Sequence, residues 1–364
     1  TWGDSTYGGN SNAVQSQLTN VQAIYPSTYA FAAVKQDGSV VTWGDSTYGG
    51  NSNAVQSQLT NVQAIYSNDY AFAALKQDGS VVTWGNGVDG DSSAVQSQLT
   101  NVQAIYSTNS AFAALKQDGS VVTWGNSGNG GDSSAVQSQL ANVQAIYSSG
   151  TAFAALKQDG SVVTWGRSDR GGDSSVVQSQ LTNVQAIYSA VGAFAALKQD
   201  GSVVTWGNSS YGGDSSAVQS QLTNVQTIYS NEYAFAALKQ DGSVVTWGYS
   251  TYGGDSSAVQ SQLTNVQAIY STYSAFAALK QDGSVVTWGS SSYGGNSSAA
   301  QSQLTNVQAI YSTERAFAAL KQDGGVVTWG NSAYGGDSNT VQSQLIGVQA
   351  VYSTRFAFAA LLGE

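Results

Sequence analysis

Cysteine is absent from this sequence, and with it go disulfides, thiol catalysis and thiolate metal sites. Histidine is absent too, which removes the commonest general base and the commonest transition-metal ligand. There is no methionine and a single proline. Charged residues are 9% of the chain, with a net charge of −10 and no cluster of Lys or Arg. An acidic chain without a basic patch is a poor match for phosphate backbones, so no nucleic-acid partner is expected. No apolar run approaches the ~18 residues of a membrane span, and no signal peptide is read. The missing initiator Met and the start inside a repeat read as a trimmed piece of a longer chain. A cytoplasmic location is favoured. Aromatic residues at 11% and regular apolar strands argue against disorder.

What is there is repetition. The stretch from Ala71 to Gly85, AFAALKQDGSVVTWG, recurs down the chain almost unaltered. Trp2, Trp43, Trp84, Trp124, Trp165, Trp206, Trp247, Trp288 and Trp329 follow one another at 41 residues, with one step of 40. A period of that size made of short strands indicates a propeller or a similar array. In the first unit the expected strands are 21–25, 30–34 and 39–43. A polar connector, Asn10 to Asn20, is given a weak fourth strand around Val14 to Leu18. The Asp37-Gly38 pair predicts a tight hairpin of type I′, with both residues at positive φ. Strands apolar on both faces suit blades stacked face to face.

The VQAIY-type and AFAAL-type strands each occur nine times, but the complete SVVTWG-type strand only eight. Its missing end stands at the other terminus as Thr1-Trp2-Gly3. The expected fold is therefore all-β: a single closed β-propeller over residues 1–364, the last blade closed by N- and C-terminal strands. Its nine blades are repeats beginning at Thr1, Thr42, Thr83, Thr123, Thr164, Thr205, Thr246, Thr287 and Thr328. A monomer is expected.

Taken together, the V-x-x-I strand, the Asp-Gly turn, the V-x-x-W-G strand and the Tyr-Gly loop resemble the repeat of the regulator-of-chromosome-condensation family. The bacterial branch with a propeller-shaped β-lactamase inhibitor is especially similar. The resemblance covers the whole chain and implies a propeller that acts through loop contacts with other proteins. Familiar members have seven blades, not nine. Similar hypervariable propellers look like ligand sensors of bacterial defence-type systems, a role implied by resemblance alone.

Variation is confined to two loops. Before each AFAAL strand stands a triplet, and no two agree: Ser27-Thr28-Tyr29, Asn68-Asp69-Tyr70, Thr108-Asn109-Ser110, Ser149-Gly150-Thr151, Ala190-Val191-Gly192, Asn231-Glu232-Tyr233, Thr272-Tyr273-Ser274, Thr313-Glu314-Arg315 and Thr354-Arg355-Phe356. The loop after each Trp-Gly varies as well, and holds Tyr7, Tyr48, Asp89, Arg167, Arg170, Tyr211, Tyr249, Tyr252, Tyr293 and Tyr334. Free drift of exposed loops would not spare Gln15-Ser16-Gln17 and Lys35-Gln36, which repeat unchanged. Two strands and the Asp-Gly turn separate the two loops, which places both at one end of each sheet.

All four arginines and eleven of the twenty tyrosines lie in these loops. Tyr, Ser, Gly and Asn with occasional Arg is the composition of antibody-like paratopes. The chain is thus expected to be a non-enzymatic scaffold that recognises a protein ligand on its variable-loop face, with no cofactor, catalytic residue or metal. The Asp of GGDSS is replaced by Asn at 10, 51 and 296, and no converging set of oxygens is visible. A multivalent lectin is the alternative, though repeated sugar sites need repeated residues; a structural or designed repeat module is another. The invariant Tyr25 and Tyr66 are read as packing residues.

Overall fold

A computed structural model of the chain describes residues 1 and 3–363. The chain forms two compact units, Thr1–Val184 and Gln185–Glu364. Apart from short helical segments in the loops, the described residues are all-β: eight three-stranded antiparallel sheets and one of two strands.

The second repeat, in the first unit, shows the plan. Val62–Ser67, Ala71–Lys76 and Val81–Gly85 follow one another as a meander. Phe72 stands opposite Trp84, and their rings stack at 5.3 Å between centroids. The middle strand is buried on both faces, because sheets of neighbouring repeats pack together. Ala30, Ala32, Val34 and Val40 of the first repeat receive Leu59, Ile65, Phe72 and Trp84 of the second. Small residues on one sheet leave room for the large rings of the next. The second unit repeats the arrangement, with Ala234, Ala236 and Leu238 against Leu263, Phe276 and Trp288.

The hairpin turn differs from the expected type. Only Gly79 has positive φ (77°), and Asp78 does not. Gly79 N–H donates to the Lys76 carbonyl and Lys76 N–H to the Ser80 carbonyl, each at 2.9 Å. This fits a three-residue loop closed by a left-handed glycine, not the two-residue type I′ turn. The Asp78 carboxylate accepts from Ser80 Oγ (2.6 Å) and Ser80 N–H (3.0 Å), and these bonds hold its pKa below the usual carboxylate range. A lowered folded pKa stabilises the fold above the unfolded value, and that contribution is lost as pH falls through the folded one. The turn also joins repeats. Its Gln77 N–H donates to Asn61 O, and its Gly79 carbonyl accepts from Val102 N–H of the next repeat. A Cβ on Gly79 would lie 3.0 Å from Asn101 Cα. The Asp-Gly of the turn is therefore fixed by structure.

The connector carries no fourth strand. Asn12–Gln17 is a 3₁₀ helix, as is Gln56–Gln58 in the next repeat. Gln56 Nε2 donates to Val40 O (3.0 Å), while Ser52 Oγ bonds Gln56 Oε1 (2.9 Å) and Thr42 Oγ1 (3.0 Å). A glutamine side chain thus covers the edge that a fourth strand would have paired. The first Gln of each Gln-Ser-Gln is consequently structural. Ser57 and Gln58 are exposed, and among the described residues their side chains make no hydrogen bond.

The ninth sheet has two strands, Val348–Ser353 and Phe358–Leu362. Thr1 and Gly3, counted in the sequence as its closing strand, belong to no strand, and Trp2 lies outside the described residues. The terminal repeats are more exposed than the internal ones. Ile24 is 53% exposed where Ile65 is 3%, and Leu361 is 51% exposed where Leu75 is 2%.

The single 40-residue repeat has a local consequence. Trp84 donates its indole N–H to the carbonyl of Gly49, a left-handed glycine of the preceding loop, at 3.0 Å. The loop 86–91 is one glycine short. Asp89 is the counterpart of Tyr48, and its carbonyl accepts from Asn68 Nδ2 as the equivalent carbonyls do in other repeats; the left-handed glycine that should follow it is missing, and the buried Trp124 indole has no hydrogen bond. Inserting a glycine after Asp89 is expected to raise unfolding stability by about 1–3 kcal/mol, the usual cost of an unpaired buried donor. Urea denaturation of the two chains measures it. An unchanged midpoint would contradict this reading of Trp124.

Candidate binding surface

In each complete sheet the triplet joins the first and middle strands and the second variable loop leaves the third. Both loops therefore lie at one end, and the Gln-Asp-Gly turn at the other. The two loops are bonded together: Asn86 N–H donates to Tyr70 O at 3.0 Å in the first unit, and Tyr249 N–H to Tyr233 O at 3.0 Å in the second.

The three positions of the triplet play different parts. The first is buried, contrary to the expectation of a freely varying contact residue: Asn68, Thr108, Asn231 and Thr272 are all inside, and Ser27 is half-buried. Asn68 Oδ1 accepts from Tyr70 N–H (2.9 Å) and Ala71 N–H (2.7 Å), while its amide donates to Asp89 O. Asn231 repeats this with Tyr233, Ala234 and Tyr252 O, and Thr272 Oγ1 donates to Tyr293 O at 2.8 Å. A short polar side chain is needed to bind both loops, which restricts this position almost wholly to Ser, Thr and Asn. The Asp89 and Ser110 side chains are buried too. The signal was present in the sequence as a narrow choice of residue, masked by the disagreement of whole triplets.

The second position is held by its backbone. Asp69 N–H donates to Asn109 O (3.1 Å) and Asn109 N–H to Gly150 O (3.0 Å). In the second unit Val191 donates to Glu232 (3.0 Å), Tyr273 to Glu314 (2.9 Å) and Glu314 to Arg355 (3.0 Å) in the same way. A ladder of main-chain bonds between successive repeats leaves the side chain free to change, and Gly, Val, Asp, Glu, Tyr and Arg all occur there. The third position packs among the residues before Gly-Gly.

In the first unit this produces an aromatic cluster. Tyr29 lies 5.3 Å from Tyr7, 4.8 Å from Tyr48 and 5.8 Å from Tyr70 between ring centroids. Asp69 adjoins it and accepts from Thr28 Oγ1 at 2.9 Å. Burial foremost, then the Asp69 charge, pushes the Tyr70 hydroxyl pKa up. Burial also raises the carboxyl of Asp89, Ser110 opposing and Asp69 adding to it. Arg167 is exposed and pairs with Asp169 at 2.7 Å; Arg170 follows it on the same turn.

In the second unit Tyr233 stacks on Tyr211 (5.5 Å) and meets Tyr252 (4.8 Å), Tyr273 (5.6 Å) and Tyr249 (6.4 Å). Its hydroxyl is shifted far up by burial, then by its hydrogen bond with Tyr273. Arg315 holds its guanidinium 4.9 Å from the Tyr293 ring centre and 4.7 Å from that of Tyr334. Glu314 pairs with Arg315 at 3.3 Å and with Arg355, whose guanidinium also lies over Phe356. Burial works to raise the Glu314 pKa, but the bonds from the two arginines outweigh it and hold the carboxyl low. Glu232 has no such bond, and burial, then the charge of Glu314, raises its pKa.

Tyr66 and Tyr106 of the invariant strand are half-buried against the junction cores, as the sequence implied, while Tyr352 of the last repeat is exposed. Among the described residues no group of three or more acidic side chains converges to hold a metal ion.

No family model and no curated protein matches the sequence. Solved structures give distant likenesses. The ectodomain of the Physcomitrella patens receptor kinase CR4 is 17% identical, with 74% of this chain and 73% of that one covered and a TM-score of 0.40. Saccharomyces cerevisiae Prp20p, described with its binding to Gsp1p and histones, is 17% identical over 66% of this chain and 74% of its own, at 0.38. The computationally designed Ika8 protein is 14% identical over 85% and 96%, at 0.35. All lie below a TM-score of 0.5, and the assignment of residues above rests on this chain's own side chains.

Proposed function

We propose that this chain is a non-enzymatic binding scaffold: a β-propeller of nine blades, eight of three strands and one of two, that takes hold of a protein ligand with its variable-loop end. One observation carries the reading. The loops are fixed by main-chain bonds and by a buried capping residue, so the second and third triplet positions change without changing the backbone that presents them. That is how a rigid frame offers diverse side chains. The repeating end has the opposite character: its Asp and Gly are taken up by the turn itself, the Asp capping the Ser and the Gly carbonyl bonding the next repeat. A role as the sensor of a defence-type system is compatible with this reading.

The test uses two variants of the whole chain. One has alanine at Tyr29, Asp69, Tyr70, Tyr233, Tyr273 and Arg315. The other has alanine at Lys35, Gln36, Lys76 and Gln77. Protein ligands captured by the parent should be lost from the first and kept by the second. Ligands kept by the first and lost from the second would end the proposal.

A further inference from the structure

The tyrosine clusters of the two units differ in one respect: only the second contains its own cation. Around Arg315 the pieces are complete, with rings of Tyr293 and Tyr334 on either side and a carboxylate, Glu314, at 3.3 Å. The same triplet position in the first repeat is Tyr29, set between Tyr7 and Tyr48, which are the counterparts of those two rings. A carboxylate adjoins them as well, from the next triplet and not the same one: Asp69 accepts from Thr28, which stands where Glu314 does, and lies beside Tyr70. No positive side chain accompanies them. The loops of the first three repeats contain no Lys or Arg, and their lysines are all in the turns at the opposite end of the sheets.

We propose that the Tyr7–Tyr29–Tyr48–Tyr70 cluster receives an arginine side chain of the protein ligand, with Asp69 meeting its charge. This rests on the proposed function and names the chemistry of the partner. A planar guanidinium stacks on aromatic faces and pairs with a carboxylate at once, a combination that a lysine ammonium makes less well. Tyr7 is 47% exposed and Thr28 is exposed beside Asp69, so the rings and the acid are reachable from solvent. The molecule thus contains in one unit the contact that it offers to a partner in the other.

Fluorescence anisotropy with a labelled Arg-Gly dodecapeptide tests this on the full chain, with the citrulline-Gly peptide as the uncharged isostere. The arginine peptide should bind and the citrulline peptide should not. Tyr29→Leu keeps the volume and removes the π face, and Asp69→Asn removes the charge. Each should weaken binding about tenfold, the effect of losing a well-desolvated cation–π or charge contact. Tyr29→Arg places a guanidinium in the slot and should block the peptide, while Gln77→Ala in the turn at the opposite end of the sheet should leave it bound. Unfolding midpoints of all variants check that each is folded. Equal binding of both peptides, or full binding by Tyr29→Leu and Asp69→Asn, would overturn the inference. If protein capture still depends on the loops while the arginine peptide fails, the inference falls and the proposed function stands.

Discussion

The chain with alanine at Tyr29, Asp69, Tyr70, Tyr233, Tyr273 and Arg315 is expected to lose at least about a hundredfold in affinity for its protein ligand. That is about 2.8 kcal/mol, which one or two anchoring aromatic or arginine side chains supply in protein interfaces. The same substitutions should disturb folding far less. These side chains contact one another and solvent, not the junction cores, and ring pairs of this kind contribute roughly 0.5–1.5 kcal/mol each. The residues that do hold the loops, Asn68 and Asn231, are left in place. Titration calorimetry against a captured ligand and urea denaturation read the two quantities separately. A variant that binds normally, or one that fails to fold, would remove the distinction between frame and contact residues.

Phe153→Ala is expected to lower unfolding stability by about 3–5 kcal/mol, the range for removing a buried aromatic ring from a core that does not collapse around the gap. Phe153 is fully buried and stacks on Trp165 at 5.2 Å. It sits against Ala111, Ala113 and Leu115 of the preceding repeat. Those alanines cannot reach into the void, and Gly130, whose left-handed backbone lies beside the ring, has no side chain to fill it. In a repeat array each unit is held by its neighbours, so the loss falls on one junction and spreads from there. A change below about 1 kcal/mol in denaturation would mean that the junctions do not carry the stability of the fold.

Much of this was legible in the residues. The period of 41, the three strands per unit and the separation of variable from constant ends follow from spacing and alternation, which depend on backbone geometry alone. What the sequence could not display was where side chains spend their hydrogen bonds. Asn68 and Asp69 look equally variable, yet one is an interior cap and the other a contact candidate. The repeated Gln-Ser-Gln reads as exposed surface, yet in the second repeat its first residue, Gln56, covers a strand edge. The Asp-Gly pair fits two turn types, and only the Lys76–Ser80 pairing decides between them. The orphaned Trp124 indole needed both the missing glycine and the loop geometry to be noticed.

Amide hydrogen exchange on the full chain, with and without a captured protein ligand, tests the central claim most directly. The account predicts new protection in the triplet and Tyr-Gly loops, around Tyr29, Tyr70, Tyr233 and Arg315, with no change at the Gln36-Asp37-Gly38 turn and its counterparts. Protection gained at those turns, with the loops unaffected, would contradict it.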